Sequence, residues 1–204
     1  EKGGGSTVWW VTGAALVGSI ETSACRIAAA QLAKFYRVPS HTTAPNSDNH
    51  THDEQNSWEK TFSLMAAVGA GHDLIVNCGM FATGMTCSHE QLLMDAEIAA
   101  MCRRLAAGIG VSEASVAADL IKRVGPRGES YLTQEETLAE LRSDEYLVPS
   151  LAVRGPFASW QAAGARDTYR VAREQARKLG AAPAESPLDA ARSARLAEIV
   201  GAVR

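Results

Sequence analysis

The sequence predicts an α/β fold with a parallel sheet, as in a (β/α)8 barrel or a doubly wound sheet. Three short stretches rich in β-branched or apolar residues each precede a longer stretch with apolar residues at helical spacing. This strand–helix unit recurs about every 35 residues, which is typical of parallel strands covered by helices. After Gly110 the strand-like stretches stop and helix signals dominate.

The three predicted strands are residues 7–12, 36–42 and 74–78. The last of them is continuously apolar, so we expect it to be buried on both faces. Helices are predicted at residues 21–35, from about residue 58 to the closing Gly69 and Gly71, and from the capping box of Ser88 and Gln91 to about Ala107.

The region after residue 110 is predicted to hold four or five helices. Ser112, Thr133 and Ser186 each have the pattern of a helix N-cap; Thr133 has Glu136 three places on, and Ser186 precedes Pro187. Only residues 147–153 resemble a further strand. We therefore divide the chain into a βα region, 1–110, and a helical C-terminal region, 111–204.

Composition excludes several classes of partner. The 204-residue chain is 46% hydrophobic with a formal net charge of -3 and no basic stripe, which argues against nucleic acid and anionic membranes. No apolar run reaches the roughly 18 residues of a membrane-spanning helix. The four cysteines form no CxxC pair and lie in apolar surroundings, which predicts buried free thiols in a reducing cytoplasm.

Three segments, taken in order, resemble the trimethylamine:corrinoid methyltransferase family. Residues 18–40 contain an Ala-rich helix that ends in an aromatic pair before Val-Pro. Residues 46–60 contain a polar Asp-rich loop that leads into Trp-Glu-Lys. Residues 79–104 contain a Gly-flanked loop and a helix with Asp-x-Glu-Ile. The resemblance covers most of residues 14–180.

Members of this family are about twice as long, so the resemblance implies that this chain is the C-terminal part of a longer protein. The first residue, Glu1, agrees with that expectation. The implied fold is an incomplete (β/α)8 TIM barrel formed by residues 1–110, with a helical extension packed on it. A closed barrel of this type takes about 250 residues and eight strands.

The resemblance also implies an activity. Such enzymes move a methyl group from a tertiary or quaternary methylamine, such as trimethylamine or a betaine, to the Co(I) corrinoid of a separate protein. This sequence shows no pyrrolysine, which favours a quaternary amine such as glycine betaine. Asp48-x-His50 begins the corrinoid-binding pattern Asp-x-His-x-x-Gly, but Asp53 stands where Gly is required. We expect no corrinoid bound stably by this chain.

Holding a quaternary ammonium requires aromatic faces and a carboxylate. In βα barrels the site lies at the carboxyl ends of the strands. The candidates at these positions are Asp48 as the catalytic residue, Trp10, Asp48, Asp53 and Phe81 for substrate binding, and Gly79 and Gly84 for the approach of the corrinoid. Each has a simpler interpretation: the Trp fills core, the Asp residues cap a helix, and the Gly residues form turns.

Two other functions remain open from the sequence. One is a non-catalytic module that binds the corrinoid protein, or a degenerate fragment of such an enzyme. The other is a metallohydrolase that uses His50, His52 and Asp53, since two histidines two apart with a carboxylate can bind zinc, although no further ligand is evident. The sequence also leaves open whether the protein forms a homo-oligomer.

Overall fold

The computed structural model describes residues 7–182 and 188–202. The fold is mixed α/β and mostly helical. The strands are β1 Thr7–Val8, β2 Ala15–Leu16, β3 His41–Thr43, β4 Leu74–Val76, β5 Met80–Phe81 and β6 Thr86–Cys87. The helices are α1 Ile20–Tyr36, α2 Glu54–Ala70, α3 His89–Ala107, α4 Glu113–Val116, α5 Ala118–Val124, α6 Glu135–Leu141, α7 Phe157–Ala162, α8 Thr168–Ala181 and α9 Ala190–Ala202. Short 3-10 turns form at Gly125–Arg127 and Tyr131–Thr133.

One βαβ unit positions the region of interest. β3 pairs in parallel with β4, His41 opposite Leu74 and Thr43 opposite Val76, and α2 connects the two strands. Helix α2 packs between α1 and α3. The core lies between this sheet and the helices α2 and α3, and consists of Ala44, Leu64, Ala67, Ile98 and Cys102.

The first predicted strand is wrong. β1 is only two residues long and pairs antiparallel with β2 as a hairpin. The chain reverses over residues 9–14, where Trp9 accepts a hydrogen bond from the amide of Gly13 at φ +74°. A left-handed glycine permits this turn, which a strand continuing to residue 12 does not allow. In the described residues β3–α2–β4 is therefore the one parallel unit, and no closed barrel forms.

The burial predicted for the third strand is also wrong. In β4, Leu74 is 56% exposed and Val76 is 38% exposed. Their neighbour Ile75 points to the other face and packs on the core. Because successive side chains of a strand alternate between faces, Leu74 and Val76 lie on the face opposite Ile75, and the described residues leave that face uncovered.

Several predicted boundaries shift. Helix α1 absorbs Tyr36 and ends at Arg37 in the left-handed conformation, so β3 begins only at residue 41. Thr133 does not cap a helix, because its hydroxyl donates to the carbonyl of Ser130 and α6 begins at Glu135. Residues 147–153 are irregular rather than a strand. The caps at Ser88 and Ser112 are confirmed; the cap predicted at Ser186 lies outside the described residues.

The C-terminal region is anchored on α3. Helix α8 packs against α3. The carboxylate of Glu97 on α3 accepts hydrogen bonds from the hydroxyl and amide of Ser150, 2.7 and 2.9 Å away.

Of the four free cysteines only Cys102 is buried, so the predicted burial fails for the other three. None of the described helices is long and apolar enough to span a bilayer.

Candidate active site

The carboxyl ends of β3 and β4 lead into two loops that lie against each other. We call these loops, residues 44–53 and 77–87, the rim. The amide of Ala82 donates to the carbonyl of Asn49, and the amide of Thr83 donates to the carbonyl of Ser47, each at 3.0 Å. Parallel pairing of the strands brings both loops to the same edge of the sheet, as the sequence predicts for a βα site.

Asp48 connects three segments at the rim. Its carboxylate accepts hydrogen bonds from the amides of Val17 and Gly18, at 2.9 and 3.0 Å, and from the hydroxyl of Thr83, at 3.1 Å. The side chain is half-buried. With both oxygens occupied by donors, this carboxylate holds the end of the β1–β2 hairpin and the second rim loop in place.

Glu59 of α2 holds the first rim loop in place at Ser47 and Asp48. One of its oxygens accepts from the hydroxyl of Ser47 and from the amide of Asp48, both at 2.8 Å. Gly18 packs directly on this arrangement: a Cβ atom there would lie 2.7 Å from Glu59 Oε2 and 2.9 Å from Asp48 N. The absence of a side chain at residue 18 is therefore required for the hairpin to reach the rim.

A buried ion pair fixes the second rim loop. Lys60 Nζ lies 2.9 Å from Asp95 Oδ2, and neither side chain is exposed. The ammonium also donates to the carbonyl of Met80 at 2.6 Å. Asp95 accepts from the amide of Gly79 at 2.7 Å and from the side-chain amide of Gln91 at 2.8 Å. The pair thus holds the backbone on both sides of the Gly79–Met80 peptide.

Burial opposes the charge on both members of this pair. It lowers the pKa of Lys60 and raises the pKa of Asp95, and the attraction between the two groups acts against each shift. The geometry favours the ionised form, because donors fill the acceptor positions of the carboxylate and the ammonium has carbonyl acceptors besides Asp95. The charges of the pair are therefore retained by mutual contact and hydrogen bonds.

The second rim loop follows a strained path. Three residues other than glycine have positive φ: Asn77 at 114°, Ala82 at 51° and Thr83 at 56°. Such conformations cost about 1–3 kcal/mol each and persist only where surrounding contacts enforce them. The contacts at this loop are the Lys60–Asp95 pair and the bond from Thr83 to Asp48. Strain of this kind concentrates at functional sites, which supports a functional role for the rim.

An aromatic stack joins the rim to the C-terminal region. The imidazole of His52 lies 4.6 Å from the ring of Phe81 and 4.7 Å from the ring of Tyr169 on α8, between ring centroids. Phe81 is only 5% exposed. Burial lowers the pKa of His52, although nearby Glu90 acts to raise it. A neutral imidazole therefore fills the space between Phe81 and Tyr169.

The remaining candidates occupy distinct positions. Asp53 caps α2, accepting from the amides of Gln55 and Asn56, and the Thr51 hydroxyl leads the contacts that lower its pKa. Trp10 lies on the turn of the β1–β2 hairpin and is 85% exposed, so it fills no core in the described chain. Asp48, Asp53 and Phe81 thus lie on the two neighbouring rim loops, while Trp10 lies on the turn of the hairpin.

The two glycines differ in their surroundings. Gly79 has φ +89°, and a Cβ atom there would lie 3.3 Å from Leu92 Cβ, so the left-handed backbone and packing on α3 together account for the glycine. At Gly84, φ is +82° and the nearest atom to a Cβ would be Met80 Cε at 3.9 Å, so the left-handed turn accounts for the glycine and the space beside it is open. His50 is exposed, and His52 and Asp53 are engaged as described; across residues 7–182 and 188–202 no three metal-binding side chains cluster.

Comparison with known proteins identifies the family of this chain. The sequence profile of trimethylamine methyltransferase (MTTB) matches residues 5–202. The chain belongs to the trimethylamine methyltransferase family. The resemblance found in the sequence is thereby confirmed.

The relatives include enzymes named for a tertiary amine, trimethylamine, and for a quaternary amine, glycine betaine. The chain is 36% identical over 180 residues to trimethylamine methyltransferase MttB of Methanosarcina barkeri. The aligned region covers 87% of this chain and 35% of the relative. It is 35% identical over 150 residues to a glycine betaine methyltransferase of Desulfitobacterium hafniense strain Y51, which covers 73% of this chain and 31% of the relative. The chain thus spans about a third of the length of the curated relatives it matches.

Sequence reasoning missed several residues that shape this family member's rim. Glu59 and Lys60 lie within a matched segment, but nothing in their spacing indicates that both are turned inward. Asp95 on α3 is ion-paired and fully buried, whereas an acidic residue on a helix usually faces solvent. A charged residue at a core position of the α3 pattern is the signal that indicates such a pair. The contact of Tyr169 with His52 joins residues 117 apart in the sequence and leaves no local signal.

Proposed function

We propose that the protein to which this chain belongs transfers a methyl group from a tertiary or quaternary methylamine to the Co(I) corrinoid of a partner protein. The observation that carries the proposal is the parallel pairing of β3 with β4, which sets the rim loops side by side in a chain of this family. The names of the relatives support the amine class, since they include trimethylamine and glycine betaine methyltransferases.

We propose that the fold is the C-terminal part of a (β/α)8 barrel. The β3–α2–β4 unit followed by α3 supports this, as do the exposed apolar residues on one face of β4. Within this proposal, residues 1–110 contribute barrel units together with the β1–β2 hairpin. Residues 111–204 form a helical extension, whose contacts between α8 and α3 support its packing on the barrel.

The corrinoid is proposed to come from the partner. In this chain the Asp48 carboxylate is occupied by three hydrogen bonds, and Asp53 stands at the position of the required Gly and caps α2. These residues do not fit a resident corrinoid. The open backbone at Gly84 is the place at the rim where the partner's cofactor is best accommodated. When presented there, the corrinoid supplies a strong nucleophile for the methyl carbon.

The task of this chain's residues is to position the amine. The bond from methyl carbon to nitrogen breaks with its electron pair leaving on nitrogen, so a quaternary ammonium departs as a neutral amine without a proton. A tertiary amine has to carry a proton, or be activated in another way, before it can leave as a neutral amine. Asp48 and Asp53 act as hydrogen-bond acceptors, so neither is placed to supply that proton. Because this sequence shows no pyrrolysine, we favour a quaternary substrate, such as a betaine.

We assign Asp48 a positioning role. Its hydrogen bonds hold the rim loops in one arrangement, and Phe81 lies in the loop it secures. Holding reacting groups within a narrow geometry contributes several kcal/mol to catalysis, and small displacements cost rate. Loss of the Asp48 carboxylate is therefore expected to lower kcat more than it raises KM.

The test uses the full-length protein with its corrinoid partner in the reduced state. Glycine betaine and trimethylamine are supplied separately, and the demethylated amines are measured by mass spectrometry. We expect demethylation of glycine betaine. Binding of the partner without demethylation of either amine contradicts the proposal and favours a non-catalytic binding module.

A pair of variants separates positioning from general damage. Asp48→Asn replaces one acceptor oxygen by an amide group facing backbone donors, and kcat is expected to fall at least about tenfold. Asp73→Asn is the matched control, because Asp73 also accepts an amide and a hydroxyl, both from Ser40, but lies at the amino ends of the strands. Equal losses in the two variants would show that Asp48 has no special role.

A further inference from the structure

A groove opens on the outer surface between α2, α3 and the start of α8. Its volume is about 780 Å³, within the range of about 300–1,000 Å³ typical of ligand sites. It adjoins the rim and shares His52 and Asp53 with it, and the imidazole of His52 stands between Phe81 on the rim side and Tyr169 on the groove side. The aromatic and acidic residues that line it are Asp53, Glu54, Trp58, Phe62, Asp167 and Tyr169.

Aromatic rings form the walls of this groove. Trp58 and Phe62 lie one turn apart on α2 and are 53% and 59% exposed. Tyr169 at the start of α8 faces them across the groove. Large aromatic surfaces left exposed around one concavity are typical of recognition sites rather than of an ordinary protein surface. Three rings on two helices offer a cation several π faces within one cavity.

The charge of the groove is negative. Asp53 and Asp167 cap α2 and α8, so their charges balance the partial positive charges of those helix ends. Glu54 then remains as an additional carboxylate. No Lys or Arg is found among the groove-lining residues of the described chain, and burial lowers the pKa of the neighbouring His52. A cation is therefore the favoured occupant.

We propose that this groove binds a methylated ammonium ion, as a second cation site on the side of His52 that faces α2 and α8. A methylated ammonium distributes its charge over methyl groups, which pack on aromatic faces with little loss of hydration. A primary ammonium or a guanidinium would have to give up stronger hydration or find hydrogen-bond acceptors. The choice of ligand agrees with the proposed function, but the groove's geometry and charge stand without it.

The test resolves the site by nitrogen-15 labelling of tryptophan indoles in the full-length protein. The Trp58 resonance is assigned by its loss in Trp58→Phe. Choline is titrated as the probe, against 3,3-dimethylbutan-1-ol, which has carbon in place of the charged nitrogen. We expect choline to shift the Trp58 resonance saturably, with a dissociation constant of about 1–20 mM, and the uncharged isostere to leave it in place.

Variants test the charge. Glu54→Gln is expected to weaken choline binding about threefold to tenfold, with the Trp58 resonance still as the probe. Glu113→Gln is the matched control, since Glu113 occupies the same first-turn position on α4, and it is expected to leave binding unchanged.

Three results would overturn the proposal: no shift of Trp58, an equal shift with the uncharged isostere, or unchanged affinity in Glu54→Gln. Because the readout is binding, it is independent of turnover. A protein that binds choline here but demethylates no amine refutes the proposed function alone, and a protein that turns over amine without any Trp58 shift refutes the groove alone.

Discussion

Replacing Lys60 by Met tests the buried ion pair at the rim. The change keeps the aliphatic volume but leaves the Asp95 carboxylate, which is not exposed at all, without its cation. Breaking one side of a buried pair in this way costs about 3–5 kcal/mol of unfolding free energy. The carbonyl of Met80 also loses its donor, which adds about 1 kcal/mol. We expect Lys60→Met to lower stability by about 4–6 kcal/mol.

The double variant Lys60→Met/Asp95→Asn isolates the charge. An Asn at this position still offers an oxygen to the amide of Gly79, and its amide group can donate to Gln91 once that side chain turns its oxygen, which has no partner in the described structure, towards it. The remaining cost is then mainly the lost donor to Met80. We expect the double variant to recover at least about 2 kcal/mol relative to Lys60→Met. Urea unfolding followed by circular dichroism measures the free energy of unfolding of the unaltered protein, of Lys60→Met and of the double variant. Lys122→Met is the control, because its ion pair with Asp119 lies at the surface and should contribute nothing measurable.

The pH dependence of Lys60→Met gives a second readout. Burial already raises the pKa of Asp95, and removing Lys60 takes away the largest influence that lowers it. The folded variant therefore binds a proton more readily than the unfolded chain, whose Asp has a pKa of about 3.9. The stability deficit must shrink as pH falls and grow as pH rises. A deficit below about 1 kcal/mol, or one independent of pH, would refute the buried pair as described.

Three further predictions concern other contacts. Gly18→Ala should lower the free energy of unfolding by about 1–3 kcal/mol, because the new methyl group meets backbone and carboxylate atoms. Gly69→Ala is the control: the added methyl group has open space in α2 and should raise the free energy of unfolding by up to about 1 kcal/mol, and thermal unfolding compares the two variants. Burial raises the pKa of Glu97, but hydrogen bonds led by Ser150 outweigh it and hold the pKa below its ordinary value. The anchor is therefore present above the unfolded pKa near 4.3 and is lost as pH falls through the folded one, so the protection factors of the amides at 150–152, corrected for intrinsic exchange, should fall in acid, and Glu97→Ala should show low protection at every pH. Burial lowers the pKa of His52, so the free energy of unfolding should fall as pH drops below about 6.5, the pKa of an unfolded His. His52→Phe should not show this fall, and identical pH profiles of the two proteins would contradict a neutral imidazole stacked on Tyr169.

Periodicity in the sequence predicted the long helices well. Helices α1, α2 and α3 appear within a few residues of their expected bounds, because their start and stop residues act locally: Ser88 caps α3, and Gly71 closes α2 in the left-handed conformation. The strands were predicted less well. Trp9 and Trp10 have high strand propensity, yet the left-handed Gly13 turns the chain into a hairpin. Strand propensity depends on a partner strand, and a single sequence does not reveal which partner is available.

The sequence by itself determined the helical framework and the polar loop before α2, which are carried by residues close together along the chain. It also determined membership of the trimethylamine methyltransferase family, which is carried by several segments in a fixed order. Only the tertiary structure decided what the charged residues do. Asp48 accepts backbone amides 30 and 31 residues away, and Lys60 reaches Asp95 across 35 residues. Such contacts depend on which face of each helix is buried when the helices pack. Charged residues on a buried face are stabilised by ion pairs and hydrogen bonds, and here those contacts hold the rim loops.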